Sequence, residues 1–95
     1  MFYAKLNRIG KNKMNICILQ GKIISKIEYK FIINSKNKAI AYFEMELLDK
    51  NIIKIKAYND IADKCYRILS TGNEICIEGI LDTNGEIEIQ EIYVL

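Results

Sequence analysis

The chain has no histidine, no tryptophan and no proline, and only five glycines in 95 residues. Each shortage closes off a class of function. Without histidine there is no imidazole to act as a base beside a serine or cysteine nucleophile, or to serve as the commonest metal ligand. The three cysteines, Cys17, Cys65 and Cys76, are odd in number and scattered, with no CxxC pair, so a structural zinc site has no support. Each sits among apolar neighbours and reads as a small hydrophobe. No glycine-rich run fits a phosphate-binding loop. No apolar stretch reaches the length of a membrane span, and nothing at the start reads as a secretory leader. The expectation is a protein of a reducing cytoplasm that is not an enzyme, with no cofactor, metal, small-molecule substrate or membrane partner.

What is present is apolar and β-branched. Hydrophobic residues make up 51% of the chain, and isoleucine, the commonest, suits a pleated, half-buried surface better than a helix. Ninety-five residues make one domain with a modest core, which oligomerisation would help to stabilise. The net charge of +2 hides a gradient. Residues 1–38 hold nine Lys/Arg against one acid, residues 39–72 hold five of each, and residues 73–95 hold six acids and no base. A basic first third points to an anionic partner, and the acidic end excludes a uniformly basic surface.

Periodicity divides the chain into residues 1–14, a basic arm or an extra edge strand, and a folded domain over 15–95. Asn15 to Ile33 is β-rich, with Gly21 inside it where a barrel strand bends. Asn34 to Lys38 is a polar loop. Ala39, Ala41, Phe43, Met45 and Leu47 form one face of the next strand. The turn Asp49–Asn51, with Asn51 in the left-handed conformation, leads to a strand whose inner face is Ile53, Ile55 and Ala57. A helix follows, capped by Asn59 or Asp60, with a buried stripe of Ile61, Cys65, Ile68 and Leu69 and a stop at Gly72. Ile75, Ile77 and Leu81 point inward from the fourth strand. An Asn84-Gly85 hairpin leads to a last strand whose alternation slips near Gln90-Glu91, predicting a bulge. Tyr29 and Phe31 are expected in the core with Phe43 and Met45. One short helix between the third and fourth of five strands is the layout of an OB-fold: all-β with one helix, a five-stranded Greek-key barrel.

Four segments carry a resemblance to the bacterial single-stranded DNA-binding protein (SSB) family, over roughly Asn15 to Leu95. ICILQGKI resembles the opening strand with its internal glycine, and IEYKF the segment that follows. AIAYFEMEL resembles an A-x-A-x-F-x-L strand. IKIKAYNDIADKCYRILSTGNEICIEGIL resembles the strand, aromatic, helix, glycine stop and -EG-x-L strand in one run. The resemblance implies binding of single-stranded DNA with little sequence preference, in replication, recombination or repair, as a homodimer or homotetramer. It also implies that Tyr58 is a base-stacking platform and that Lys54 and Lys30 lie at basic positions on the DNA face. The chain departs from the family in having no tryptophan, with Ile52 standing where one would be, and in its short hairpin loops. It reads as a shortened or divergent member.

Strand-tolerant binding needs cations for phosphates and flat rings for bases. Alternation places Lys54, Lys56 and Tyr58 on one outer face, joined by Tyr42 from the neighbouring strand. Lys22, Lys30, Lys36 and Lys38, together with Lys26, have few acids near them in sequence and supply a positive groove. A plainer reading stands beside this one. A turn at Asp49–Asn51 sets Glu46 opposite Lys54, Glu44 opposite Lys56 and Tyr42 opposite Tyr58, as ordinary cross-strand pairs worth about 0.2–1 kcal/mol each. Outward apolar positions Ile40, Leu48, Ile52 and Ile80 suit an interface between copies. The alternatives to DNA binding are a protein–protein interaction module on the same fold and an RNA-binding OB domain.

Overall fold

The structure is a computed structural model that describes residues 2–9, 12–33 and 38–95, with side chains from Asn15 onward. Seven strands and one helix follow the chain: β1 (Phe2–Ile9), β2 (Asn12–Ile23), β3 (Glu28–Ile32), β4 (Lys38–Leu47), β5 (Ile52–Tyr58), α1 (Asn59–Ile68), β6 (Glu74–Leu81) and β7 (Ile87–Val94). The sheet order is β1-β2-β6-β7-β5-β4-β3, and a further β2–β4 pairing closes five of the strands into a barrel. The β5–β7 pair is parallel and every other pair antiparallel. This is the OB-fold, with α1 between the third and fourth barrel strands. Strand β1 lies outside the closed barrel, pairing with β2 from Phe2↔Leu19 to Ile9↔Asn12. Strand β3 is an edge strand whose ladder pairing is to β4 alone.

Closure depends on Gly21. It is the first residue of β2 paired both to β6, at Ile75, and to β4, at Leu47, and Lys22 follows with Glu74 and Glu46. A side chain there would run into the Glu46 carbonyl. The barrel is filled by the alternating faces: Leu19 and Ile23 from β2, Ala41, Phe43 and Met45 from β4, Ile55 and Ala57 from β5, Ile75 and Ile77 from β6, and Ile87, Ile89 and Ile92 from β7. The bulge on β7 falls at Gln90. Glu78 pairs with Glu91 but Gly79 with Ile89, so Gln90 is the unpaired extra residue. Cys17 and Cys65 are buried free thiols. Burial pushes the Cys65 thiol up to about 11, which keeps it protonated and inert.

Several local expectations are corrected. The β4–β5 loop is Leu48–Lys50, one residue earlier than expected, because Asp49 accepts the Asn51 amide and side-chain N–H groups at 3.0 and 2.8 Å and Lys50, not Asn51, takes the left-handed conformation (φ 75°). The register moves by two: Glu44 faces Lys54, Tyr42 faces Lys56 and Ile40 faces Tyr58. Neither Asn59 nor Asp60 caps the helix, since Asn59 Oδ1 instead accepts the Ala39 amide at 3.2 Å. Ala62 takes the buried place given to Ile68, which is 44% exposed. Leu81 lies beyond the last β6 residue that β2 pairs, and is exposed. Phe31 is 55% exposed because β3 is an edge strand and α1 covers only its Tyr29. Tyr29 donates its hydroxyl to Asp63 and packs its ring on Tyr66 at 4.9 Å.

Candidate functional site

The outer face of β4 and β5 carries the even-numbered residues, since the odd ones fill the barrel. Ladder pairing sorts this face into rows. Lys30, Ile40 and Tyr58 form one row, and Glu28, Tyr42, Lys56 and Glu88 the next. Glu44 and Lys54 follow, then Ile52, Glu46 and Lys22. Two connections rise beside this face. The β2–β3 connection is stitched to Glu44, whose carbonyl accepts the Ile24 amide at 3.0 Å and whose own amide donates to Ser25 Oγ at 2.7 Å. On the other side stands the β6–β7 hairpin, built on Asp82, whose Oδ1 accepts the Asn84 and Glu86 amides at 2.8 and 3.0 Å. Between them lies a cleft of about 490 Å³, lined by Ser25, Lys26, Glu28, Tyr42, Phe43, Glu44, Lys54, Ile55 and Glu86.

Tyr58 ends β5 on this face, half-buried, and the Lys38 ammonium lies over its ring, 4.7 Å from the centroid. This is cation–π distance. Lys30 is exposed in the same row. Lys54 is exposed opposite Glu44. Lys56 is differently placed: its ammonium is bound by the Asp82 carboxylate and lies 3.6 Å from Glu86 Oε1. These are the ion pairs among the described residues. The Asp82 bond chiefly raises the Lys56 pKa, and the same bond chiefly holds the Asp82 carboxyl below its ordinary value, with help from the Glu86 amide. Lys56 is thus committed to holding the hairpin against the barrel.

Lys22 is set apart. It is opposite Glu46 on one side and Glu74 on the other. Its row is six residues along β4 from that of Tyr58, about 20 Å at strand rise. Lys36 lies outside the described residues. The structure therefore gathers Lys30, Lys38, Lys54 and Tyr58, ties Lys56 to acids, and puts Lys22 elsewhere. The cleft lining brings in two residues given little weight in the sequence, Tyr42 and Lys26. It also brings in three acids, Glu28, Glu44 and Glu86. Alternation marked Tyr42 as outward; the loop lysine carried no periodic signal. Ile40, expected on an apolar outer patch, is buried between Lys30 and Tyr58, whereas Leu48, Ile52 and Ile80 are exposed.

No protein-family model matches the chain, and no curated protein matches it. Solved structures do. The SSB domain of a protein from Synechococcus sp. superposes with a TM-score of 0.73 at 16% identity, covering 84% of this chain and 94% of that one. The wild-type single-stranded DNA binding protein from Thermus aquaticus gives 0.75 at 14% identity, covering 93% of this chain and 43% of that one. The fold is the SSB fold. A small single-stranded DNA-binding protein from Streptomyces coelicolor shares it at a TM-score of 0.63 and 9% identity, over 86% of this chain and 93% of that one. At such identities the likeness establishes the architecture alone. Within the SSB fold, the cleft lies where OB barrels in general hold ligands, on the second and third barrel strands between two flanking loops.

Proposed function

We propose that this protein binds single-stranded DNA with little sequence preference, in replication, recombination or repair. Tyr58 stacks on a base, and Lys30, Lys38 and Lys54 neutralise phosphates; Lys36, outside the described residues, is proposed with them. Lys56 acts through the hairpin it holds, and Lys22 adds only to the outlying field. The observation that carries the reading is the Tyr58 ring on the outer barrel face, one ladder row from the cleft residue Tyr42, with the Lys38 ammonium above it and Lys30 in its row. A flat ring bordered by exposed cations is what sequence-tolerant strand binding requires. A homodimer or homotetramer is part of the proposal, with exposed Leu48, Ile52 and Ile80 available for contact between copies.

The test is a titration of labelled oligo-dT and of a matched duplex at two salt concentrations. Oligo-dT is expected to bind in preference to duplex, and its affinity to fall steeply with salt. Tyr58→Ala should weaken oligo-dT binding by about 1–3 kcal/mol, roughly 5- to 150-fold, while Tyr58→Phe should not. Unchanged affinity in Tyr58→Ala would remove the stacking role. One observation favours a second reading, a protein–protein interaction module: Asp82 and Glu86 occupy Lys56, a cation on the same face. Such a module binds no oligo-dT even at low salt, so the same titration separates the two.

A further inference from the structure

The cleft differs in chemistry from the cationic row of Lys30 and Tyr58 beside it. Tyr42 lines the cleft, and Glu28 and Glu44 flank Tyr42, Glu28 directly across the ladder on β3 and Glu44 two residues along β4. Among the described residues, neither carboxylate has a lysine or arginine nitrogen within ion-pair distance. Lys26 and Lys54 border the same cleft. Its volume of about 490 Å³ is large enough to admit a nucleobase.

An acidic wall is a poor host for phosphate and a good acceptor for base N–H groups. A single strand entering this cleft therefore has only one favourable orientation, backbone along Lys26 and Lys54 and base turned inward over Tyr42. An ionised carboxylate accepts hydrogen bonds and donates none. Cytosine, adenine and guanine each offer an exocyclic amino group on the edge that single strands leave open, whereas thymine offers carbonyl oxygens there and only one ring N–H. We propose that Glu28 and Glu44 make this cleft a subsite for amino-bearing bases, so that the protein favours single strands rich in cytosine, adenine or guanine over thymine-rich ones. The inference rests on the single-strand reading above and adds a composition bias to it. Binding along Lys30, Lys38 and Tyr58 stays sequence-tolerant, and the bias comes from the cleft alone.

The experiment is a competition at fixed salt and pH 7.5 between oligo-dC, oligo-dA and oligo-dT of equal length, with wild type, Glu28→Gln, Glu44→Gln and the distant control Glu91→Gln on β7. Wild type should hold oligo-dC and oligo-dA about 3- to 10-fold more tightly than oligo-dT, below the full 5- to 150-fold discrimination of an ideal bidentate base contact. Removing a negative charge should tighten every oligomer. In Glu44→Gln and Glu28→Gln it should tighten oligo-dT most, so that the ratio moves toward one; in Glu91→Gln the ratio should stay as in wild type. Unfolding midpoints of the variants establish that they are folded. Equal wild-type affinities, or ratios unmoved by both cleft substitutions, overturn the subsite while leaving single-strand binding in place. No binding of any oligomer at low salt overturns both.

Discussion

Replacing Gly21 with alanine tests whether barrel closure rests on one residue. Gly21 is where β2, still paired with β6, takes up β4, a junction of only three pairs, from Gly21↔Leu47 to Ile23↔Met45. A Cβ built there penetrates the Glu46 carbonyl oxygen and lies 3.0 Å from both the Glu46 carbonyl carbon and Met45 Cγ. The nearest obstacle is backbone, which cannot swing aside as a side-chain tip can. The strands must part, weakening the short junction that closes the cylinder. Forcing a methyl-sized group into a packed interior costs about 1–3 kcal/mol, and a backbone obstacle puts this case at the upper end. Lower entropy of the unfolded chain returns about 0.4–1 kcal/mol. The net loss is about 2 kcal/mol, or roughly 8–16 °C in Tm for a domain of this size. Gly85→Ala is the control. It has nothing within 4 Å and only a left-handed φ of 79° to be strained, a penalty of about 1 kcal/mol. Denaturant and thermal unfolding measure both. If Gly21→Ala unfolds at the wild-type midpoint, or loses less than Gly85→Ala, the tight crossing does not carry closure.

Two further predictions concern charge. Asp82 has a folded pKa below its unfolded value, so the stability it contributes is present above about pH 4 and fades as pH falls through the lowered value. Asp82→Asn should therefore flatten the acid limb of the unfolding midpoint against pH, and an unchanged limb would show that Lys56 does not hold the hairpin. In salt titrations of oligo-dT binding, Lys30→Ala and Lys38→Ala should each lower the slope of log K against log salt by about 0.7. Lys22→Ala, flanked by Glu46 and Glu74, should leave it almost unchanged, and a drop equal to that of Lys38→Ala would place the strand along β2 instead.

Alternation with period two made the barrel legible, because one face of each strand is dry. It placed Phe43, Met45, Ile55, Ala57, Ile75 and Ile77 correctly, all of them buried. The β7 bulge was visible as two consecutive polar residues, Gln90 and Glu91, in an otherwise alternating strand. The β4–β5 register was not legible. A slip of two residues keeps every side chain on its own face, so the apolar pattern cannot sense it, and the turn residues that decide it, Asp49 and Lys50, act through a side-chain hydrogen bond and a backbone conformation. The partner of Lys56 was hidden for another reason. Asp82 is 26 residues away in sequence and meets it only across the barrel face. Phe31 looked like core because its strand alternates, but an edge strand with a short helix beside it has no cover for both of its aromatics.

The charge gradient along the chain is folded back on itself. The acids of the last third meet the lysines of the earlier strands: Asp82 binds Lys56, Glu88 stands across the ladder from Lys56, and Glu74 stands across from Lys22. With a net charge of only +2, the molecule has little monopole to draw it toward a polyanion from beyond a Debye length, about 8 Å at physiological salt. Capture therefore depends on what happens at close range, where single lysines meet single phosphates, and long-range steering adds little to the rate of encounter.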